Sequence, residues 1–252
     1  MTIGIGIDVY GTLVDPLEMN VYLRPLVGAA AEKLAELWRT KQLEYTFRRA
    51  SMGTYENFDV CSRQALVFAS ESLQIGLSTE DRERLIEQYQ SLQPYPDVVS
   101  GLQKLKEAGY QTLAFSNGVE ATVRSLLQRA EILPYLRGIV SVDDLKTFKP
   151  DPRVYFYLAQ RLGCPVNHTW LVSSNPFDVI GAKSAGLRAA WIIYMLSYFL
   201  GGSLGAALGA FEWQHRGWSG VCTAGVAMLL VALAAHISGT RELRAVSTVP
   251  AK

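Results

Sequence analysis

The spacing of hydrophobic residues changes several times along the chain, and each change marks an element. Thr2–Ile7 is a short apolar run rich in Ile, broken by Gly and ended by Asp8. With no polar alternation it predicts a strand buried on both faces, as in a parallel sheet. Tyr10-Gly11-Thr12 then turns the chain. Asp97–Ala108 predicts a helix opened by Pro96-Asp97 and closed by Gly109, and Tyr110–Phe115 predicts a strand after it. Beyond Ser116-Asn117-Gly118, the residues Val119, Val123, Leu126, Leu127 and Ala130 fall at helical spacing. Gly138–Val142 and Thr169–Val172 read as strands with helical Arg153–Leu162 between them. Phe177–Ala185 reads as a further helix, and Ala189–Tyr194 as a last strand. Strands alternating with helices predict an α/β fold with a doubly wound parallel sheet.

From Leu13 to Pro96 no strand pattern occurs. Ala29–Ala50, Asp59–Ile75 and Thr79–Leu92 have helical spacing, the last with Ser78 or Thr79 as its N-cap. This predicts a core built from residues 1–14 and 97–194, with residues 15–96 inserted as a helical cap. Such a cap would lie over the carboxyl edge of the sheet, where open α/β sheets bind ligands.

Composition adds a division that periodicity alone does not show. Hydrophobic residues make up 49% of the 252 and charged residues 19%, which excludes a disordered, collagen-like or coiled-coil chain. With 24 Lys and Arg against 23 Asp and Glu, the net charge of +1 offers no basic field for nucleic acid. Cys61, Cys164 and Cys222 are far apart, as in a reducing compartment, and form neither a disulfide framework nor a CxxC metal site. The charges, however, are uneven. Six fall among the 64 residues from Ala189 to Lys252, about 9%, against about 22% before them.

Ala189–Phe211 and Gly217–Thr240 run 23 and 24 residues without a formal charge, each long enough to cross a ~30 Å hydrocarbon layer. Gly201, Gly205 and Gly209 have the spacing that lets membrane helices approach closely, and Trp213 and Trp218 flank a short polar loop, Glu212–Arg216. The pattern predicts a hydrophobic helical hairpin within residues 195–252 and membrane association through residues 195–240. The catalytic part and both termini would be cytoplasmic, anchored to the inner membrane by the tail. The competing reading of the first stretch is the last core strand followed by a buried helix. Thr2–Ile7 is too short for a secretory signal, and Asp8 follows it at once.

Five polar groups sit at or just beyond the predicted strand ends: Asp8 with Thr12, Ser116-Asn117, Lys149, Ser173-Ser174-Asn175, and Asp178. Each alone also reads as a cap, a turn or a solvated loop residue. On one edge of one sheet they would converge on a single pocket.

The residues Asp8-Val-Tyr-Gly-Thr-Leu, Ser116-Asn-Gly, Phe148-Lys-Pro-Asp-Pro and Ser173-Ser-Asn-Pro-Phe-Asp178 resemble the four motifs of the haloacid dehalogenase superfamily. Leu37-Trp-Arg-Thr-Lys-Gln-Leu-Glu-Tyr45 further resembles the cap of its (S)-2-haloacid dehalogenase branch, called type II. The resemblance runs from about residue 2 to Trp191. Phosphatases of the superfamily carry a second Asp two residues after the nucleophile, and further carboxylates for Mg²⁺. Here those places hold Tyr10 and, in the last motif, Asp178 alone. A halide leaves without a proton and needs no general acid, so the resemblance points to C–halogen cleavage without metal or cofactor. A phosphatase is the alternative within the superfamily.

The resemblance implies a small 2-haloalkanoate substrate and an aspartyl-ester intermediate. Asp8 would attack C2, and water would then attack the Asp8 carboxyl carbon. Lys149 and Thr12 would hold the Asp8 carboxylate. Asp178 would serve the hydrolytic water, with Ser173 and Asn175 completing the network and Tyr155 supporting Lys149 or Asp178. Ser116 would bind the substrate carboxylate, and Arg39 with Asn117 the departing halide. Tyr10, Leu43, Phe58 and Phe177 would wall the alkyl group, unless these simply pack the core. Phe177 stands where relatives often have Trp, and Thr40 where Gln is common. Type II relatives are often dimers, so a homodimer is also expected.

The tail departs from that family and resembles the last two helices of a major-facilitator transporter. Its junction near Trp191–Met195 looks like a fusion or a deletion. An active dehalogenase, an inactive fusion product and a membrane-associated binding protein all fit such a chain. The complete set Asp8, Lys149 and Asp178 favours the first over the third.

Overall fold

The computed structural model describes residues 3–192, 210–223, 225 and 227. The chain divides into two units, Met1–Ile192 and Ile193–Lys252, each taken by itself. In the first, β1 (Gly4–Asp8), β2 (Gln111–Ser116), β3 (Gly138–Ser141), β4 (Thr169–Ser173) and β5 (Arg188–Trp191) form one sheet. All neighbours are parallel, in the order β3-β2-β1-β4-β5. Chain order therefore reverses between β1 and β4, the kind of switch point where α/β sheets open a crevice at their carboxyl ends. Asp8 pairs with Phe115 and Ile7 with Val172, so Asp8, Ser116 and Ser173 end their strands side by side.

Why β1 alternates Ile with Gly is visible in the packing of one helix. A Cβ on Gly6 would lie 2.4 Å from Leu158 Cδ2, and one on Gly4 would lie 3.0 Å from Leu162 Cβ. Both leucines belong to α7, so the glycines let that helix lie against the strand. Across the chain, α5 (Val98–Glu107), α6 (Glu120–Arg129), α7 (Pro152–Leu162) and α8 (Pro176–Ser184) follow the expected spans closely. The α7 helix begins with Pro152 and an Asp151 cap that accepts the Arg153 N–H, and it ends at Gly163 with φ 67°. Val154, Tyr155, Leu158, Ala159 and Leu162 form its buried stripe.

Between β1 and β2 lies the cap. It contains α1 (Met19–Val27), α2 (Ala31–Met52), α3 (Phe58–Ser72) and α4 (Thr79–Gln88). The last three match expectation, with Ser78 capping α4 through the Asp81 N–H, although α4 stops short of Leu92. The sequence pattern did not predict α1. Only Met19 and Leu23 are buried on it, and Pro25 lies within it, so its apolar signal is too brief to read. The helices α2 and α3 are joined where Trp38 Nε1 donates to the Ser62 carbonyl at 2.9 Å.

The chain enters and leaves the cap side by side. Val14 and Pro94 form an antiparallel bridge, and Tyr95 N–H donates to the Leu13 carbonyl at 3.1 Å. Elsewhere the cap meets the core through hydrogen bonds: Thr122 donates to Asp59 at 2.8 Å, and the Tyr55 hydroxyl donates to Asp143.

At the far edge, β5 takes Ala189–Trp191 into the sheet, the first three residues of the charge-free stretch expected to span a membrane. Ile192 N–H continues the pairing by donating to Ser173 at 3.0 Å. Most of the expected hairpin over residues 195–252 lies outside the described residues. Among the described residues no helix is long and apolar enough to cross a membrane. The polar loop expected at Glu212–Arg216 is instead helical: residues 210–223 are helical on both sides of Gly217, whose φ is 60°. Glu212 and Arg216 are four residues apart and face each other at 3.9 Å, a spacing that a helix brings together.

The glycine face of β1 gives a direct test. Gly6→Ala is expected to destabilise the protein by about 1–3 kcal/mol, the cost of overpacking a filled core. Urea unfolding that leaves the wild-type midpoint unchanged would contradict the close seating of α7.

Candidate active site

Asp8 ends the central strand and is nearly buried. The turn after it folds back, with Leu13 N–H donating to the Val9 carbonyl at 2.8 Å and Gly11 taking φ 89°, a conformation glycine adopts without strain. This return brings Thr12 Oγ1 to 3.0 Å from Asp8 Oδ2. The end of β4 supplies two more donors to the same oxygen, Ser173 Oγ at 3.2 Å and Asn175 Nδ2 at 2.6 Å. Asp8 Oδ1 has a single partner, the Lys149 ammonium at 2.9 Å. One carboxylate oxygen is thus held by three donors and the other by one cation.

Lys149 is itself buried, and its three N–H groups meet three acceptors. These are Asp8 Oδ1, Asp178 Oδ2 at 2.8 Å and the Phe115 carbonyl at 2.8 Å. The Phe115 ring lies 4.1 Å from the ammonium as well. Burial alone would lower the lysine pKa, but Asp178 and Asp8 outweigh it and hold the ammonium above its ordinary value. Asp178 lies in the first turn of α8, where the helix terminus favours a negative charge. Its second oxygen accepts the Tyr155 hydroxyl at 2.8 Å, so Tyr155 supports Asp178 directly. Complete burial pushes the Asp178 carboxyl up, Lys149 opposes that, and the neighbouring Asp8 charge adds to it.

Asp8, Tyr10, Arg39, Leu43, Phe58, Asn117, Lys149, Asn175 and Phe177 line one small cavity between sheet edge and cap. The Lys149 backbone N–H donates to Asn117 Oδ1 at 2.9 Å, which fixes the amide with its oxygen toward that backbone. Arg39 reaches over from α2 and donates to the Tyr10 carbonyl at 3.2 Å. The Tyr10 ring stacks at 5.4 Å on Phe58 and on Tyr89. Ser116 differs from expectation: it is fully buried, it does not line the cavity, and its oxygen accepts the Gly118 N–H at 3.0 Å.

Four further residues belong to this arrangement and were given no role in the sequence reading. Ser174 bonds Thr12 through its backbone N–H at 3.0 Å and the Gly11 carbonyl through its hydroxyl. Phe47 meets Phe177 edge-on at 5.0 Å. Gln42 and Tyr89 join Arg39 in a buried network. Ser174 left a trace in the sequence as part of the polar cluster Ser173-Ser174-Asn175, and Gln42 as a polar residue one helical turn from Arg39.

A parallel sheet that seats a buried aspartate at its carboxyl edge beneath an inserted helical cap defines a hydrolase of the haloacid dehalogenase-like class. A family model described as haloacid dehalogenase-like hydrolase matches residues 4–186. The (S)-2-haloacid dehalogenase 1 of Pseudomonas sp. (strain CBS-3) is 38% identical over 185 residues, 73% of this chain and 82% of that protein. A crystal structure described as that of a dehalogenase superposes with TM-score 0.74 at 36% identity, covering 77% of this chain and 86% of the other. The L-2-haloacid dehalogenase of Xanthobacter autotrophicus, with chloropropionic acid covalently bound, gives TM-score 0.72 at 31% identity over 76% and 78% of the two chains. This chain belongs to the haloacid dehalogenase-like hydrolases, and within them to the family of the (S)-2-haloacid dehalogenases.

Removing the central cation is expected to be severe. Lys149→Met would leave two carboxylates buried together and lower stability by about 3–5 kcal/mol, the cost of breaking a buried pair by deleting one partner. A denaturant midpoint within error of wild type would show that Lys149 does not hold the site together.

Proposed function

We propose that this protein hydrolyses short (S)-2-haloalkanoates to 2-hydroxy acids and halide through an ester on Asp8. The observation that carries this reading is the setting of Asp8. Its carboxylate is fixed by four donors at the mouth of a cavity walled by Tyr10, Leu43, Phe58 and Phe177. The second residue after it is Tyr10, a phenol that burial pushes well above its ordinary pKa and keeps neutral. An alkoxide leaving group needs a proton donor there, whereas a halide does not. The covalently bound chloropropionic acid in the Xanthobacter relative supports the same route.

In the first step an Asp8 oxygen forms a bond to C2 in line with the halogen. The carbon–halogen bond breaks, the halide takes the electron pair, and C2 inverts. Lys149 and the three donors to Oδ2 fix the attacking carboxylate. Arg39 and the Asn117 amide, both lining the cavity, would receive the departing anion. In the second step Asp178 takes a proton from water as the oxygen attacks the Asp8 carboxyl carbon. The acyl–oxygen bond breaks, the alkoxide takes that proton from Asp178 as the 2-hydroxy acid leaves, and the second proton of the water is lost to solvent from Asp8, which restores its carboxylate. Ser116 does not line the cavity; its hydroxyl oxygen holds the turn after β2 by accepting the Gly118 N–H.

Release of chloride from (S)-2-chloropropionate by the full chain tests the reading, with D-lactate as the inverted product. Absence of chloride release would sink it, and loss of that release on chelation would contradict a metal-free route. In a single turnover in ¹⁸O-water the label is expected in Asp8 before it appears in product. Asp8→Asn is expected to abolish turnover while the far-UV circular dichroism of the folded chain is retained. The pH dependence has a defined sign. Asp178 must be ionised to take the proton, and its carboxyl lies above the ordinary aspartate value of 3.8. Ester hydrolysis is therefore expected to fall with falling pH while still above pH 3.8. A rate that is flat down to that pH would remove Asp178 as the base.

A further inference from the structure

Arg39 is the one cation lining the cavity besides Lys149, and it is held quite differently. Its Nη1 donates to Gln42 Oε1 at 2.7 Å, and its Nη2 donates to the Tyr10 carbonyl at 3.2 Å. Both acceptors are neutral, and among the described residues no carboxylate stands within ion-pair distance of its guanidinium. Gln42 is fully buried, one turn along α2. Its Oε1 also accepts the Tyr89 hydroxyl at 3.0 Å, and its Nε2 donates to Ser62 Oγ at 2.8 Å.

The chemistry of the partners fixes every role in this network. A guanidinium only donates, so the amide atom facing Arg39 must be the oxygen. The nitrogen then faces Ser62, which must accept, and the Tyr89 hydroxyl must donate. The side chain therefore has one usable orientation. A glutamate has the same shape and the same acceptor here, but it would add a negative charge within hydrogen-bond distance of Arg39. The site instead uses the neutral isostere.

We propose that Gln42 is a positioning residue that fixes the Arg39 guanidinium over the cavity without neutralising it, so that its full charge meets the departing halide. This rests on the dehalogenase reading for the halide, while the arrangement of Gln42, Tyr89 and Ser62 stands on its geometry alone. A cation already paired with a carboxylate has less attraction left for a second anion. Orientation by neutral acceptors keeps the geometry and leaves the field of the charge uncancelled.

The test compares Gln42→Glu with Gln42→Met, using chloride itself as the probe. Chloride NMR line broadening on the full chain, with no substrate present, reads anion affinity. Steady-state rates on 2-chloropropionate and 2-bromopropionate read the leaving-group step. Chloride affinity is expected to fall in the order wild type, Gln42→Met, Gln42→Glu, with about a tenfold or larger loss in the last. The kcat of Gln42→Glu is expected to fall more for the chloro than for the bromo substrate, because the poorer leaving group depends more on stabilisation, while KM changes less than kcat.

A purely structural role predicts the reverse order. Methionine strands the Arg39 and Tyr89 donors in the interior, whereas glutamate satisfies them. Gln42→Met weaker than Gln42→Glu in chloride binding would overturn the proposal, as would absence of chloride broadening in the wild type. Chloride binding in the expected order, with no turnover of either haloacid by wild type, would instead remove the dehalogenase reading and leave the anion site standing.

Discussion

A single ammonium group organises this active site. Lys149 stands between two carboxylates that would otherwise repel each other in a medium of low polarity, and burying either one unpaired would be costly. Its three protons go to Asp8, Asp178 and the Phe115 carbonyl, groups drawn from β1, α8 and β2. That arrangement demands a fixed register, because Asp8 must end its strand beside Phe115. It also demands a close α7, since Tyr155 on that helix holds the other oxygen of Asp178. The glycines of β1 permit that approach. Backbone packing, strand register and charge compensation are thus one condition, met together or not at all.

The two cations of the cavity show how the same positive charge is put to different uses. Lys149 is saturated by its anions, so its role is to hold and orient them. Arg39 is carried by the cap, bound only by a carbonyl and an amide, and keeps its charge for an incoming partner. Point charge and planar fork suit these tasks respectively. Lys149 and Arg39 balance Asp8 and Asp178 in charge, and of these four only Asp178 does not line the cavity.

The core was legible in the sequence because its strands are short apolar runs without polar alternation and its helices carry terminal signals, as at Pro96-Asp97 and Gly109. The polar groups at the strand ends were legible as one set because a parallel sheet places all carboxyl ends on one edge. What stayed hidden depends on distances that no spacing encodes. Helix α1 has too few buried positions to show a period. Gln42 looks like an ordinary polar residue of the helix that carries Arg39, and Tyr89 like an ordinary aromatic of another segment, until the fold brings Tyr89 onto Gln42. Ser174 was visible only as part of a polar cluster, and Phe47 as one aromatic among several. Glu212–Arg216 read as a loop because of its polarity, yet an exposed helix accommodates the same residues.

The paired passage of the chain into and out of the cap has a mechanical consequence. With Val14 bridged to Pro94 and Tyr95 bonded to Leu13, the two crossings act as one strap. Arg39 belongs to the cap, while Asp8, Asn117 and Asn175 belong to the sheet edge, so the cavity they line together exists only while cap and core stay seated on each other. The two crossings fix that seating at one place, and the bonds from Thr122 to Asp59 and from Tyr55 to Asp143 fix it at two others.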